Sequence, residues 1–157
     1  MEEITAMGEW LLENQLLLGV AESCTGGLLC AACTDIPGSS RWFQGGVVAY
    51  QSSVKQSLLH VSEDLITQSG VVSEMVALAM AKGVCQALKT DVGIGITGIA
   101  GPDGGSEAQP VGTICYGFVY GDEVVATTLA LSGDRQAIRE ATLNQVVGDL
   151  RHFLMPA

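Results

Sequence analysis

The chain has 157 residues, 48% of them hydrophobic, with 20 glycines, few aromatics and a formal net charge of −10. Such a length favours one domain around an aliphatic core, and the composition excludes a disordered chain, which cannot bury enough apolar surface to offset its entropy. The charge excludes a broad nucleic-acid surface, so an anionic ligand must be held locally, by main-chain N–H groups or a well-placed Arg.

In chain order, Ile4 to Leu18 carry helical spacing (Ile4, Met7, Leu11), although "LLLGVAES" can peel off as a first strand. Gly26 to Thr34 predicts a short helix closed by the turn "DIPGSS", and "WFQGGVVAY" is strand-like. "SVKQSLLHV" starts a helical turn, and Asp64 to Ser69 predicts another short helix. From Ser73 the series Val76, Met80, Val84 and Leu88 marks an amphipathic helix, with Ser73 as N-cap and Glu74 in its first turn. "VGIGITGI" predicts a small buried strand running into "AGPDGGSEAQPVG", a loop too polar and broken for regular structure. "TICYGFVYG" and "EVVATTLAL" predict two strands joined by a Gly121-Asp122 hairpin turn. Asp134 starts the last helix, whose apolar positions include Ala137, Ile138, Ala141, Val146 and Leu150. Helices before and between strands, with a closing antiparallel pair, predict a three-layer α/β/α sandwich with a mixed sheet, as one domain over 1–157. With no basic leader and no apolar run of ~18 residues, a cytoplasmic protein with no membrane partner is expected. Its five cysteines are expected to be reduced thiols.

Several stretches carry chemistry as well as structure. "ESCTGG" at a strand-to-helix turn puts Ser23 near unpaired helix N–H groups, an arrangement suited to a nucleophile or to a plain N-cap. A nucleophilic Ser needs a base, and His60 and His152 both read as surface residues. Lys55, where a buried-looking strand delivers Tyr50 and then turns into a helix, is either an exposed lysine or one that desolvation has made a base. Gly93, Gly95 and Gly98 match Gly-x-Gly-x-x-Gly, but two of them lie inside the predicted strand and no helix follows, so a dinucleotide fingerprint fails its context. The loop "TGIAGPDGG" is a long turn or a phosphate cradle of main-chain N–H groups. Cys30 and Cys33 form a C-x-x-C inside a predicted helix with no second pair, so no metal is expected. Arg135, beside a helix N-cap where acidic residues are favoured, reads as a surface residue or an anion contact.

Four blocks together, "AESCTGGLL", "GGVVAYQSSVK", "TGIAGPDGGSEAQPVGT" and "SGDR", resemble the CinA C-terminal domain family, the nicotinamide-nucleotide amidases. The resemblance runs from about the first helix to the last. It implies the same three-layer fold, no cofactor, and hydrolysis of the carboxamide of nicotinamide mononucleotide to nicotinate mononucleotide and ammonia. It also implies a Ser nucleophile with Tyr and Lys partners, which match Ser23, Tyr50 and Lys55. The family usually reads Tyr-Ser-Asn where this chain has Tyr50-Gln51-Ser52; the Tyr-to-Lys spacing is intact. Some relatives carry an additional N-terminal domain for which this length leaves no room.

In these terms Ser23 attacks the amide carbon, neutral Lys55 takes its proton, and Tyr50 orients or relays between them. N–H groups around Thr25, Gly26 and Gly27 receive the oxyanion. Thr97, Gly98, Ala100, Gly101, Gly104, Gly105 and Arg135 are the candidate substrate contacts, the Gly98 to Gly105 loop and Arg135 for the ribose phosphate. A small homo-oligomer is expected. A phosphate-sensing binding module accounts for the glycine loop equally well but not for Ser23, Tyr50 and Lys55 together, and an amidase for another small amide keeps the mechanism and changes only the substrate.

Overall fold

A computed structural model of the chain describes residues 1–156. Its elements in order are α1 (Glu2–Glu13), β1 (Leu18–Glu22), α2 (Leu28–Thr34), a 3₁₀ turn (Ser39–Arg41), β2 (Phe43–Val48), α3 (Ser52–Leu59), α4 (Glu63–Ser69), α5 (Glu74–Leu88), β3 (Val92–Gly98), β4 (Thr113–Tyr120), β5 (Glu123–Ala130) and α6 (Arg135–Leu154). The five strands form one sheet in the order β2-β1-β3-β4-β5. β1 runs parallel to both β2 and β3, whereas β3–β4 and β4–β5 are antiparallel. The sheet is mixed, as expected.

Alternation along the strands divides the core between two faces. Leu18 and Val20 of β1, Ile94 and Ile96 of β3, and Tyr116 and Phe118 of β4 pack with Met7 and Leu11 of α1, Leu29 of α2 and Ile138, Val146 and Leu150 of α6. On the opposite face Ala21 packs with Leu59 of α3 and Val76, Met80 and Val84 of α5. Three layers result.

Local signals set most of the boundaries. Ser73, Asp134 and Ser62 each accept a hydrogen bond from the N–H three residues on, the geometry of a side-chain N-cap. α2 begins at Leu28 rather than Gly26, because Gly26 (φ 62°) and Gly27 (φ 107°) take left-handed conformations that no helix continues. The first helix stops at Glu13, releasing Leu18 to open β1. On α6, Ala137 is exposed and Thr142 is buried, its hydroxyl returned to the Ile138 carbonyl 2.7 Å away.

The glycines of "VGIGITG" serve packing. Gly93 and Gly95 turn toward α5, where a Cβ on Gly95 would overlap the Ala77 carbonyl and one on Gly93 the Ala81 carbonyl. The helix backbone therefore lies directly against the strand, and the Gly-x-Gly-x-x-Gly match binds no phosphate there. Gly95→Ala must push α5 off the sheet, and overpacking of this kind costs about 1–3 kcal/mol. The urea midpoint of the variant should fall accordingly, with the slope of the transition unchanged.

Candidate active site

The sheet has a switch point at β1: the chain leaves it for β2 on one side and returns as β3 on the other. Crevices at the carboxyl ends of such strands are where open α/β sheets place ligands. Here the crevice is a cleft of about 500 Å³ lined by Ser23 and Cys24 after β1, Tyr50, Gln51, Ser52 and Lys55 after β2, and Thr97 and Gly98 at the end of β3. Val71, Val72, Ala100, Gly104 and Arg135 complete the wall. Hollows of about 590 and 790 Å³ elsewhere contain no Ser–Lys pair.

Lys55 lies at the floor of this cleft, 1% exposed, on the first turn of α3. Its Nζ is 3.0 Å from Ser23 Oγ, 2.8 Å from the Ala49 carbonyl and 3.2 Å from the Tyr50 carbonyl. All three partners are neutral, so burial lowers the lysine pKa from its ordinary value without a carboxylate to oppose the shift. The three acceptors suit either proton state. An ammonium donates to all of them while Ser23 donates to the Tyr50 carbonyl, 3.3 Å away. A neutral amine keeps the two carbonyls and accepts the Ser23 hydroxyl proton on its lone pair. This is a nucleophile and base in hydrogen-bond contact.

Of the two roles expected of Tyr50, orienting and relaying, the geometry leaves no place for the relay. No atom stands between Ser23 and Lys55, and the tyrosine contributes its main-chain carbonyl to both. Its ring is 53% exposed, and its hydroxyl accepts from Arg135 Nη2 at 3.0 Å. The tight bond between Lys55 and Ser23 leaves a relay nothing to bridge.

The turn after β1 also differs in detail. The Gly26 N–H donates to the Ser23 carbonyl at 3.0 Å, which removes it from the oxyanion candidates. Glu22, fully buried, accepts from Leu29 and Cys30 N–H at 3.1 and 2.9 Å and so occupies donors at the start of α2. Thr25 and Gly27 keep N–H groups without an acceptor among the described residues, but neither lines the cleft and Thr25 is fully buried, against the expectation that they receive an oxyanion. Cys24, beside Ser23, has its thiol pushed up to about 11, chiefly by burial and against the pull of Lys55.

Of the substrate candidates, Thr97, Gly98, Ala100, Gly104 and Arg135 reach the cleft. Thr97 donates its hydroxyl to the Val71 carbonyl at 3.0 Å and thereby holds a wall segment. Gly101 lends its carbonyl to Arg135 Nη1 behind the wall. Gly105 falls outside, because the loop folds back and packs it against the Val111 main chain in a separate groove. The N–H groups of Ala100, Gly101, Asp103 and Gly104 have no acceptor among the described residues. Neither histidine lines the cleft, and no cluster of three or more His, Cys, Asp or Glu side chains forms among the described residues.

Sequence reasoning missed Gln51, Ser52, Val71 and Val72 as wall residues, and Arg139, which donates to the Cys24 and Thr25 carbonyls at 3.0 and 3.1 Å. Arg139 had a signal: it lies four residues after Arg135, on the same helix face.

A family model described as the CinA C-terminal domain matches residues 2–154. A nicotinamide-nucleotide amidohydrolase PncC of Enterobacter agglomerans is 48% identical over 85% of this chain and 83% of its own length. A CinA-like protein of Syntrophotalea carbinolica is 45% identical over 92% of this chain. The chain spans only about a third of that relative and of several others. Among solved structures, a CinA superfamily protein from Enterobacter cloacae superposes with a TM-score of 0.94 at 30% identity, over 98% of this chain and 90% of that one.

The buried lysine makes stability depend on pH. Between its lowered pKa and the ordinary value of 10.5, the unfolded chain holds a proton that the folded chain has released. Stability from this group therefore rises with pH across that window. In urea unfolding, the wild-type protein should gain on Lys55→Met as pH is raised from neutral toward 10, by up to about 1.4 kcal/mol per pH unit. A difference independent of pH would return Lys55 to ordinary titration.

Proposed function

The chain belongs to the CinA C-terminal domain family, and from that premise we propose that it hydrolyses the carboxamide of nicotinamide mononucleotide, with Ser23 as nucleophile and Lys55 as base. The observation that carries the reading is the buried Lys55 Nζ, 3.0 Å from Ser23 Oγ with only neutral partners. A relative named for this activity, matched over most of both chains, supports the substrate.

Ser23 Oγ attacks the amide carbon while its proton passes to Lys55. The oxyanion falls to main-chain N–H groups of the turn that carries Ser23. Collapse of the tetrahedral intermediate breaks the C–N bond, and the Lys55 ammonium returns the proton to the departing ammonia. Water then attacks the nicotinoyl ester and gives its proton to neutral Lys55, and the Lys55 ammonium passes it to Ser23 Oγ as the ester C–O bond breaks, freeing nicotinate mononucleotide with Ser23 and neutral Lys55 restored. No metal enters these steps.

Ala100 and Gly104, whose N–H groups are unengaged, line the cleft together with Arg135, and these donors suit the ribose phosphate. Tyr50 contributes there as well, since its hydroxyl is tied to Arg135.

Ser23→Ala should abolish ammonia release from nicotinamide mononucleotide in a folded protein. Lys55→Arg should be as inactive as Lys55→Ala, because arginine cannot shed its proton near neutral pH. The wild-type rate should fall as pH drops through the lowered lysine pKa. Substantial activity in Lys55→Arg would make this lysine a fixed positive charge.

Nicotinamide riboside, which lacks the phosphate, should be a poorer substrate by roughly ten- to hundredfold in kcat/KM, the worth of one charge-assisted anchor. Arg135→Ala should narrow that gap by harming the mononucleotide alone, and Tyr50→Phe should raise KM a few-fold while preserving kcat. Equal losses on both substrates in Arg135→Ala would remove Arg135 from phosphate recognition.

A further inference from the structure

Gln109 lies outside the cleft, half-buried in the loop that joins β3 to β4. Its main chain closes a tight turn with Ser106: the Ser106 N–H donates to the Gln109 carbonyl at 2.8 Å, and the Gln109 N–H to Ser106 Oγ at 3.0 Å. From that turn the side-chain Nε2 donates to the Val72 carbonyl at 2.7 Å. Thr97, at the end of β3, donates to the neighbouring Val71 carbonyl at 3.0 Å. The short link between α4 and α5 is thus held at two consecutive carbonyls. Among the described residues, the Gln109 bond is the one hydrogen bond that ties this link to the β3–β4 loop.

Both segments joined by that bond border the cleft. The loop supplies Ala100 and Gly104, and the link supplies Val71 and Val72. Val72 is buried with Ala77 and Cys115, and Val71 is half-buried against the same cluster. These two valines and Ala100 are the only aliphatic residues that line the cleft. Tyr50, the one aromatic residue there, is tied by its hydroxyl to Arg135. An aromatic amide that brings its carbonyl carbon to Ser23 must take its ring out of water, and that is favourable against an apolar wall. The link that carries this wall has no regular structure of its own. Gly70, at φ 84°, ends α4, and Ser73 caps α5, so the residues between them depend on Thr97 and Gln109 for their place.

We propose that Gln109 is a positioning residue that gives the site its preference for an aromatic amide: by holding the Val72 carbonyl to the β3–β4 loop, it keeps the Val71–Val72 link in place as the face on which the substrate ring lies. The proposal rests on Ser23 acting as the nucleophile of a ring-bearing amide, but not on the nucleotide attached to that ring. Neither Gln109 nor Val72 bonds to Ser23 or Lys55, so the latch acts on ring binding and leaves proton transfer alone.

The test labels Ser23 with two fluorophosphonates, one carrying a phenyl group on phosphorus and one a methyl group. The Oγ–P bond forms as fluoride leaves, the ring stands on the reacting atom as it does in the amide, and adducts are followed by intact mass with Ser23→Ala as blank. Gln109→Glu keeps the size of the side chain, removes the donor and sets a carboxylate against the Val72 carbonyl. Its phenyl-to-methyl rate ratio should fall at least about threefold from the wild-type ratio, with the methyl rate within about twofold of wild type. Gln109→Lys, whose ammonium can donate to the same carbonyl, should recover most of the ratio. Gln109→Asn, one methylene short, should not, and it decides the matter if Gln109→Glu does not fold. With nicotinamide mononucleotide, KM should rise at least about threefold while kcat stays within about twofold, and the preference over the riboside should be unchanged. A smaller change in the ratio, equal losses on both reagents, or a fall in kcat at constant KM would each overturn the assignment. Wild-type protein that labels at Ser23 yet releases no ammonia would defeat the proposed substrate, and the labelling ratio would still decide the role of Gln109.

Discussion

A lysine amine in the interior, with neutral oxygen atoms and no carboxylate around it, is the constraint on which the rest of this site depends. Burying an unpaired charge is costly, and the common remedy is a nearby acid. Here the compensation is geometric. The chain turns between β2 and α3 so that the Ala49 and Tyr50 carbonyls both face Nζ, and β1 ends where Ser23 fills the third direction. Those carbonyls cannot move without disturbing the edge of the sheet, and Lys55 cannot leave without abandoning them. A group satisfied in either proton state can exchange a proton with its neighbour without rearrangement, which is the property a base needs.

The sheet makes that constraint tenable. Parallel β1 is flanked by β2 and β3, so three carboxyl-terminal strand ends meet at one crevice. Close approach of α5 to β3, across Gly93 and Gly95, fixes the strand that supplies Thr97 and Gly98 to the cleft. Thr97 and Gln109 then hold the segment before α5 by its Val71 and Val72 carbonyls, at 3.0 and 2.7 Å. Two side chains thus pin the main chain of this part of the wall.

What the sequence disclosed was what short-range chemistry determines. Ser73 and Asp134 as caps and Gly121-Asp122 as a hairpin turn are all visible within a few residues. Ser23, Lys55 and Arg135 were found because their blocks resemble those of a known family, and they do converge on one cleft. The misplaced details are those decided by partners far away in the chain. The Tyr50 hydroxyl turns to Arg135, 85 residues on, and no local pattern announces that. Gly26 looks available until the turn closes on Ser23, and Gly105 looks like cradle until the loop packs it against Val111. The place of Arg139, four residues after Arg135, was visible, but its acceptors were not, since they are carbonyls, which every residue has.

Cys24 adds a consequence for chemical reagents. Its thiol shares the cleft with Ser23, yet burial holds it to a pKa of about 11. At pH 7 only about one such thiol in ten thousand is ionised, and the thiolate is the reactive form. Maleimides and iodoacetamide should therefore pass this centre by, while electrophiles that favour activated hydroxyls find Ser23 one residue away. With Ser23 as the proposed nucleophile, the cleft would sort covalent inhibitors by the softness of their warheads.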